Sequence, residues 1–265
     1  MHFVIIGSGG IGGYYGARLQ AHGERVTFIA RGPHLEAMKA RGLRVDHPEW
    51  RFDAPVAACS LDELIQTSSP AEVDLIVLCV KAMHTEPIAR QLAEWLGDRP
   101  TPVLSLQNGV DNEAVLAEHL GVERVFGGLA VRIGSHLTSP GVIEAVGPGQ
   151  VVMGQWPKEA PNSKDLLERL SSLFNGAGIP TRVSDDIRLE LWRKLVINNG
   201  VNPLSALTRL DTGALTRDPG LAQILYNLMA EATAAAAADG VVLTEADCRE
   251  MFDLICHLDP IKTSM

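Results

Sequence analysis

The stretch that decides the fold is Gly7-Ser8-Gly9-Gly10-Ile11-Gly12, a G-x-G-x-x-G pattern. It follows the apolar run 3–6 directly and opens the helical stretch 11–22. In such a turn the first glycine permits the tight bend, the second lets the backbone approach a pyrophosphate, and the third lets the helix pack against the sheet. The phosphates then lie on backbone N–H groups at the positive end of the helix dipole. This context favours a dinucleotide-binding turn over a merely glycine-rich one.

Short apolar runs alternate with longer amphipathic stretches through the first half of the chain. The candidate strands are 3–6, 25–30, 74–80, 103–106 and 124–129, with helical stretches between several of them. Two of the runs, 75–80 and 103–106, are apolar throughout, which is typical of strands buried on both faces of a parallel sheet. We therefore predict an α/β fold whose first domain, residues 1–185, is a doubly wound Rossmann-type parallel sheet.

The pattern changes after residue 130. Residues 141–146 and 150–154 are separated by Gly147-Pro148-Gly149, and they predict an antiparallel hairpin. A helix over 163–175 and a last strand near 181–184 follow. Beyond residue 185 the sequence has helical spacing and no candidate strand, so we predict a second, all-α domain over 186–265, in which Thr244 caps a helix.

The end of the second strand indicates which dinucleotide binds. An NAD enzyme needs a carboxylate there to accept hydrogen bonds from the ribose 2′-OH. This chain has Ala30-Arg31-Gly32 instead, and a guanidinium can bind a 2′-phosphate through two hydrogen bonds. We therefore predict NADP(H) as the cofactor, although Arg31 could also be an ordinary solvated arginine.

Charge and composition exclude several classes of partner. The net charge is −9, from 23 basic and 32 acidic residues, and this argues against general binding of nucleic acid or of an anionic membrane. The four cysteines form no CxxC pair, so we predict no metal site and a reducing, cytoplasmic setting. The N-terminal apolar run is too short for a signal peptide or a membrane span.

Three polar residues, Lys194, Asn198 and Asn202, recur four positions apart and so share one face of a predicted helix. A cation and two amides beside apolar Leu191 and Leu195 make an unusual face for a purely structural helix. The residues alone leave an alternative open, namely a solvated polar stripe in which Asn202 caps a second helical segment.

The sequence as a whole, from residue 2 onward, resembles the ketopantoate reductases (2-dehydropantoate 2-reductases). The resemblance rests on the segment from Glu190 to Leu207, similar to the family's ELWRK…N…NPL…A signature, and on Leu106-Gln107-Asn108-Gly109. Shorter supporting matches are Val80-Lys81-Ala82, Ala30-Arg31-Gly32 and Pro140-Gly141-Val142.

The resemblance implies a role for each matched residue. Lys194 would be the catalytic acid, since an ammonium can stabilise a developing alkoxide and deliver its proton. Asn198 and Asn202 would hold the substrate hydroxyl and carboxylate groups. Asn108 would contact the cofactor near the nicotinamide, and Lys81 would line the cofactor site, although Lys81 could also be an ordinary lysine at a strand end.

Two departures from the family pattern stand out. Thr212 precedes Gly213 where family members often carry an asparagine, so one substrate contact is altered. At the other departure, Lys262-Thr263-Ser264-Met265 resembles a segment whose serine contacts the substrate carboxylate, a role that would fall to Ser264. In the family a helix with a binding glutamate follows, whereas this sequence ends at Met265. We expect a C-terminal truncation rather than a protein that works without that helix.

The leading hypothesis is NADPH-dependent reduction of 2-dehydropantoate to pantoate, on the route to pantothenate and coenzyme A. The alternatives are a related NADP-dependent reductase of another oxo acid, favoured by Thr212, and a non-catalytic NADP-binding protein, favoured by the missing helix. The expected partner is a small-molecule oxo acid. The oligomeric state stays open, with a homodimer among the assemblies to consider.

Overall fold

The computed structural model describes residues 1–160 and 164–257. Strands and helices alternate through its first 130 residues except at the third, fourth and fifth strands, which follow one another directly. The strands are β1 His2–Ile6, β2 Arg25–Ile29, β3 Leu43–His47, β4 Trp50–Ala54, β5 Ala57–Cys59, β6 Leu75–Leu78, β7 Val103–Ser105, β8 Val125–Val131, β9 Gly134–Ser139, β10 Val142–Val146, β11 Gln150–Gln155 and β12 Thr181–Val183. The α-helices are α1 Gly10–Ala21, α2 Gly32–Arg41, α3 Leu61–Thr67, α4 Thr85–Leu96, α5 Asn112–Leu120, α6 Lys164–Gly176, α7 Ile187–Thr208, α8 Thr212–Arg217, α9 Pro219–Ala236 and α10 Glu245–His257.

The main sheet has eight strands in the order β12-β11-β8-β7-β6-β1-β2-β5. The six strands from β8 to β5 in this order are mutually parallel. Strand β11 pairs antiparallel with β8, and β12 pairs parallel with β11. The chain leaves β1 toward β2 on one side and later returns to β6 on the other. This reversal is the topological switch point at which doubly wound sheets bind ligands.

Strand β1 shows why this sheet is covered on both faces. All five of its residues are buried. Phe3 and Ile5 belong to one hydrophobic cluster, while Val4 and Ile6 belong to another. Successive side chains of a strand point to opposite faces, so each face of the sheet has its own core. The predicted doubly wound Rossmann-type sheet is confirmed.

The predicted hairpin of 141–146 with 150–154 is wrong. Strand β10 pairs antiparallel with β9 and parallel with β3, whereas β11 pairs with β8 in the main sheet. The cause lies in burial. Four consecutive residues of β11, 151–154, are buried, whereas in β10 buried Ile143 and Ala145 alternate with exposed neighbours. A strand that is apolar on both faces needs cover on both faces, which a two-stranded hairpin does not provide.

A second sheet, β4-β3-β10-β9, was absent from the sequence-based prediction. Its strands β3 and β4 form an antiparallel pair, as do β9 and β10. It packs beside α1, where Ile143 Cδ1 lies so close that a Cβ added to Gly13 would be 2.2 Å from it. Helix α1 therefore packs between the two sheets.

The chain divides into two compact units, Met1–Ile187 and Arg188–Met265. Among the described residues, no strand follows Val183, and the second unit has its own hydrophobic core around Val196, Leu225 and Met251. Thr244 caps α10 as predicted, because its hydroxyl accepts a hydrogen bond from the Asp247 N–H (3.2 Å). None of the helices within 1–160 and 164–257 is long and apolar enough to cross a bilayer.

Candidate active site

The glycine turn directly after β1 is fixed to the neighbouring strand by its own backbone. The N–H groups of Gly7 and Ser8 donate to the carbonyl oxygen of Ile29, at the end of β2, over 3.2 and 3.0 Å. Gly7 has a φ of +95°, a conformation that side-chain-bearing residues rarely adopt. The first glycine therefore permits the bend, as the sequence pattern requires.

The other glycines of the turn differ in what surrounds them. A Cβ at Gly12 would lie 2.3 Å from the Gly7 carbonyl oxygen, whereas a Cβ at Gly9 would meet nothing within 4 Å. Gly9 is also the N-cap of α1, where no side chain caps the helix and no acidic residue occupies the first turn. Backbone N–H groups at the positive end of the helix dipole thus lie beside open space, which fits an anionic pyrophosphate.

The strand order brings the other predicted cofactor residues to the same edge of the sheet. Arg31 follows β2, Lys81 follows β6 and Asn108 follows β7, and these strands are parallel neighbours of β1 or of one another. All three side chains are exposed. The Arg31 guanidinium donates to Nε2 of His84 over 3.4 Å, so the ends of β2 and β6 approach each other at this edge.

A buried polar network supports the turn that carries Asn108. Nε2 of Gln107 donates to the Val80 carbonyl (3.0 Å) and to Oγ1 of Thr85 (2.8 Å). The Thr85 hydroxyl donates to Oδ1 of Asn112 (2.9 Å), whose Nδ2 donates to the Asn108 carbonyl (3.0 Å). Satisfied networks of this kind rigidify their surroundings. Sequence reasoning missed these three supports, although Gln107 lies inside the quoted segment.

In the second unit, α7 carries Lys194, Asn198 and Asn202 on one face, which we call the polar stripe. All three residues are half-buried. The helix runs without interruption through Pro203 to Thr208, so Asn202 does not cap a separate helical segment. Burial lowers the pKa of Lys194 to about 8, because a desolvated ammonium is disfavoured relative to the neutral amine.

Acidic residues hold the N-terminal half of α7 in one rotational orientation. Arg188 and Trp192, one turn apart, both donate to the Asp239 carboxylate, which Arg188 Nε reaches over 3.1 Å and Trp192 Nε1 over 2.7 Å. On another side of the helix, Arg193 pairs with Asp247 at 3.2 Å. These contacts fix the direction in which the polar stripe faces. Their acidic members come from distant parts of the sequence, where no local pattern marks them.

Two residues singled out in the sequence, Thr212 and Ser264, lie outside the polar stripe and the cofactor residues described above. Thr212 is buried at the start of α8, directly after Asp211, whose carboxylate caps the helix by accepting the Ala214 N–H (2.8 Å). Ser264, predicted to bind the substrate carboxylate, lies outside the described residues.

The comparisons with known proteins agree with the resemblance noted in the sequence. The family described as Ketopantoate reductase PanE/ApbA matches residues 3–158, and its C-terminal counterpart matches residues 186–265. The 2-dehydropantoate 2-reductase of Pyrococcus horikoshii is 33% identical over 242 residues, which cover 91% of this chain and 75% of that protein. The enzyme of the same name from Halobacterium salinarum is 31% identical over 247 residues, covering 93% of this chain and 78% of that protein.

Solved structures give the same result. The crystal structure of the 2-dehydropantoate 2-reductase from Geobacter metallireducens GS-15 is similar with a TM-score of 0.87 at 30% identity, covering 100% of this chain and 85% of that chain. The two family matches together span most of the sequence, and the resemblance is confirmed. The chain therefore belongs to the ketopantoate reductase PanE/ApbA family.

Proposed function

We propose that this protein reduces 2-dehydropantoate to pantoate with NADPH. The observation that carries the proposal is Lys194, a half-buried lysine whose pKa is lowered to about 8 by burial, on a helix face with two asparagines. A lysine with this pKa is protonated near neutral pH and yet gives up its proton readily, as a general acid must. The names of the relatives in the family support the choice of substrate.

The residues at the sheet edge fit a dinucleotide phosphate. The glycine turn, formed by Gly7, Ser8, Gly9, Gly10, Ile11 and Gly12, would hold the pyrophosphate through its N–H groups other than those of Gly7 and Ser8, which donate to Ile29. Arg31 would bind the 2′-phosphate. Lys81 would add positive charge to the site, and Asn108, held by the network around Gln107, would orient the nicotinamide amide. When bound, NADPH supplies the hydride for reduction of the ketone.

On the polar stripe, Lys194 would hold its proton at Nζ toward the ketone oxygen and transfer it as negative charge develops there. Asn198 and Asn202 would donate to and accept from the hydroxyl and carboxylate groups of the substrate, which aligns the ketone carbon. Ser264 remains a prediction for the substrate carboxylate.

The finer assignments stay predictions of the sequence. They are a cofactor domain at 1–185, a catalytic and substrate-binding domain at 186–265 and a cytoplasmic location, while the oligomeric state stays open, with a homodimer among the assemblies to consider. The substrate class, a small oxo acid, follows from the family.

Steady-state oxidation of NADPH with 2-dehydropantoate tests the proposal. We expect turnover with this substrate, and a much lower kcat/KM with trimethylpyruvate, the analogue that lacks only the terminal hydroxyl. We also expect NADPH to be preferred over NADH. Turnover of a different oxo acid with none of 2-dehydropantoate would contradict the substrate assignment.

A further inference from the structure

His34, near the start of α2, joins the glycine turn to the second sheet through both nitrogens of its ring. Nε2 lies 2.7 Å from the Ser8 carbonyl oxygen, and Nδ1 lies 3.0 Å from the backbone nitrogen of Gly141. The Gly141 N–H can only donate, so Nδ1 must be the acceptor. Nε2 therefore carries the hydrogen and donates it to Ser8, and both bonds require the neutral Nε2–H tautomer.

The bond to Ser8 fixes the direction of a neighbouring donor. The peptide between Ser8 and Gly9 is planar and trans, so the Gly9 N–H points opposite to the Ser8 carbonyl. Because His34 holds that carbonyl on one side, the Gly9 N–H is held toward the other. No atom lies within 4 Å of a Cβ added to Gly9, so a ligand has room to approach the backbone here.

The other end of His34 rests on a rigid support. Gly141 connects β9 to β10, and its carbonyl accepts the N–H of Arg44 in β3 over 2.9 Å. The same sheet also lies against the turn at Gly10, where an added Cβ would be 2.4 Å from the carbonyl oxygen of Ser135. Closely packed groups of this kind have little freedom to move relative to one another. The second sheet therefore supports the glycine turn, and His34 is the hydrogen-bonded link between them.

We propose that His34 is a positioning residue for the dinucleotide pyrophosphate, acting by holding the Ser8–Gly9 peptide in the orientation that presents the Gly9 N–H. The proposal rests on the cofactor site of the proposed function, and it gives the second sheet a role in cofactor binding. His34 does not touch the dinucleotide in this account. It acts through the Ser8–Gly9 peptide, which contacts the pyrophosphate.

The test measures the Kd of NADPH and of 2′-AMP, which has the 2′-phosphate but no pyrophosphate, for His34→Ala, His34→Gln and His47→Ala. His47 is a matched control, because its Nε2 also donates to a backbone carbonyl, that of Gly147 (2.8 Å), and its Nδ1 also accepts a backbone N–H, that of Glu49 (3.2 Å). We expect His34→Ala to weaken NADPH binding about tenfold and to leave 2′-AMP binding unchanged. His34→Gln keeps one donor and one acceptor, so we expect it to restore most of the NADPH affinity. His47→Ala should bind both ligands as the wild type does.

Three results would overturn the proposal: a folded His34→Ala protein with wild-type NADPH affinity, equal weakening of NADPH and 2′-AMP, or a glutamine variant as weak as the alanine variant. If His34→Ala does not fold, nitrogen NMR of the wild-type imidazole gives the answer, since an Nδ1–H tautomer contradicts the geometry and an Nε2–H tautomer supports it. A wild-type protein that binds NADPH but does not reduce 2-dehydropantoate would contradict the proposed function alone.

Discussion

In the proposed function, the glycine turn acts through its backbone, whereas the polar stripe acts through its side chains. At the turn the backbone carries the function, and what matters is the absence of side chains: a single Cβ at Gly12 would lie 2.3 Å from a backbone oxygen. On α7 the side chains would carry the function, and burial lowers the pKa of the Lys194 ammonium to about 8, which suits the proposed acid. Added side-chain atoms should therefore impair the glycine turn, whereas removal of side-chain atoms should impair the polar stripe.

Removal of the Lys194 amine is the change with the largest expected effect. We expect Lys194→Ala to lower kcat about a thousandfold, because general acid catalysis contributes on this order. The Kd of NADPH should stay close to that of the wild type. The control is Arg249→Ala, which removes an exposed cation of the same unit and should keep full activity. Retention of the wild-type kcat by Lys194→Ala would show that this side chain is not the acid.

Addition of a methyl group to the turn should act on binding or on folding, depending on the glycine. We expect Gly9→Ala to fold normally, because its Cβ has space, and to weaken NADPH binding by about 2 kcal/mol, roughly thirtyfold in Kd, through a clash with the pyrophosphate. Gly12→Ala should instead lower the Tm, because its Cβ meets the Gly7 carbonyl. Calorimetry and thermal unfolding separate the two. Equal Kd values for Gly9→Ala and the wild type would contradict the assignment of the turn.

Glu113 is a buried side chain of the first unit, Met1–Ile187, and its substitution should affect stability alone. Neither carboxylate oxygen has a hydrogen-bond partner among the described residues. Burial raises the pKa of Glu113 to about 7 from 4.5. A raised pKa favours the folded state below about pH 4.5, and that stability is lost as the pH rises through about 7.

We therefore expect Glu113→Gln to be more stable than the wild type at about pH 8, by about 2 kcal/mol in the free energy of unfolding. The difference should shrink as the pH falls toward the unfolded pKa. Urea unfolding at several pH values measures it, with kcat as the control. A constant difference at all pH values would contradict the buried, titrating carboxyl.

Arg31→Ala has the smallest expected effect, because an exposed guanidinium contributes modestly. We expect KM for NADPH to rise about tenfold and KM for NADH to stay unchanged, since only NADPH carries the 2′-phosphate. Arg90→Ala, an exposed arginine on α4, is the control. An equal change of KM for both cofactors would rule out Arg31 as the residue that selects NADPH.

The sequence predicted the parts of the fold that local patterns encode. Each of these patterns is contained in a short segment of sequence: the apolar runs of β1, β6 and β7, the glycine turn, and the helical spacing of the polar stripe. The second sheet was missed although Leu43 and Val45 alternate with Arg44 and Asp46, a period of two that indicates a half-buried strand. The false hairpin came from pairing two runs that are close in sequence, whereas the buried strand β11 lies in the main sheet between β8 and β12.

The contacts that support the site were beyond local patterns. His34 reaches a glycine more than a hundred residues away, at a separation of 107, and Asp239 binds Arg188 at a separation of 51. Neither histidine nor aspartate shows a spacing that marks such a partner. Only the folded chain brings these residues together.

Whether Lys194 is the acid can be measured by the pH dependence of kcat/KM for 2-dehydropantoate at saturating NADPH. Burial lowers the pKa of Lys194 to about 8, and the proposed mechanism needs the protonated form of this lysine. We expect a level profile near neutral pH and a fall of about tenfold per pH unit above about pH 8. A profile that stays level to roughly pH 10, the ordinary range of lysine, would contradict the assignment of Lys194 as the acid.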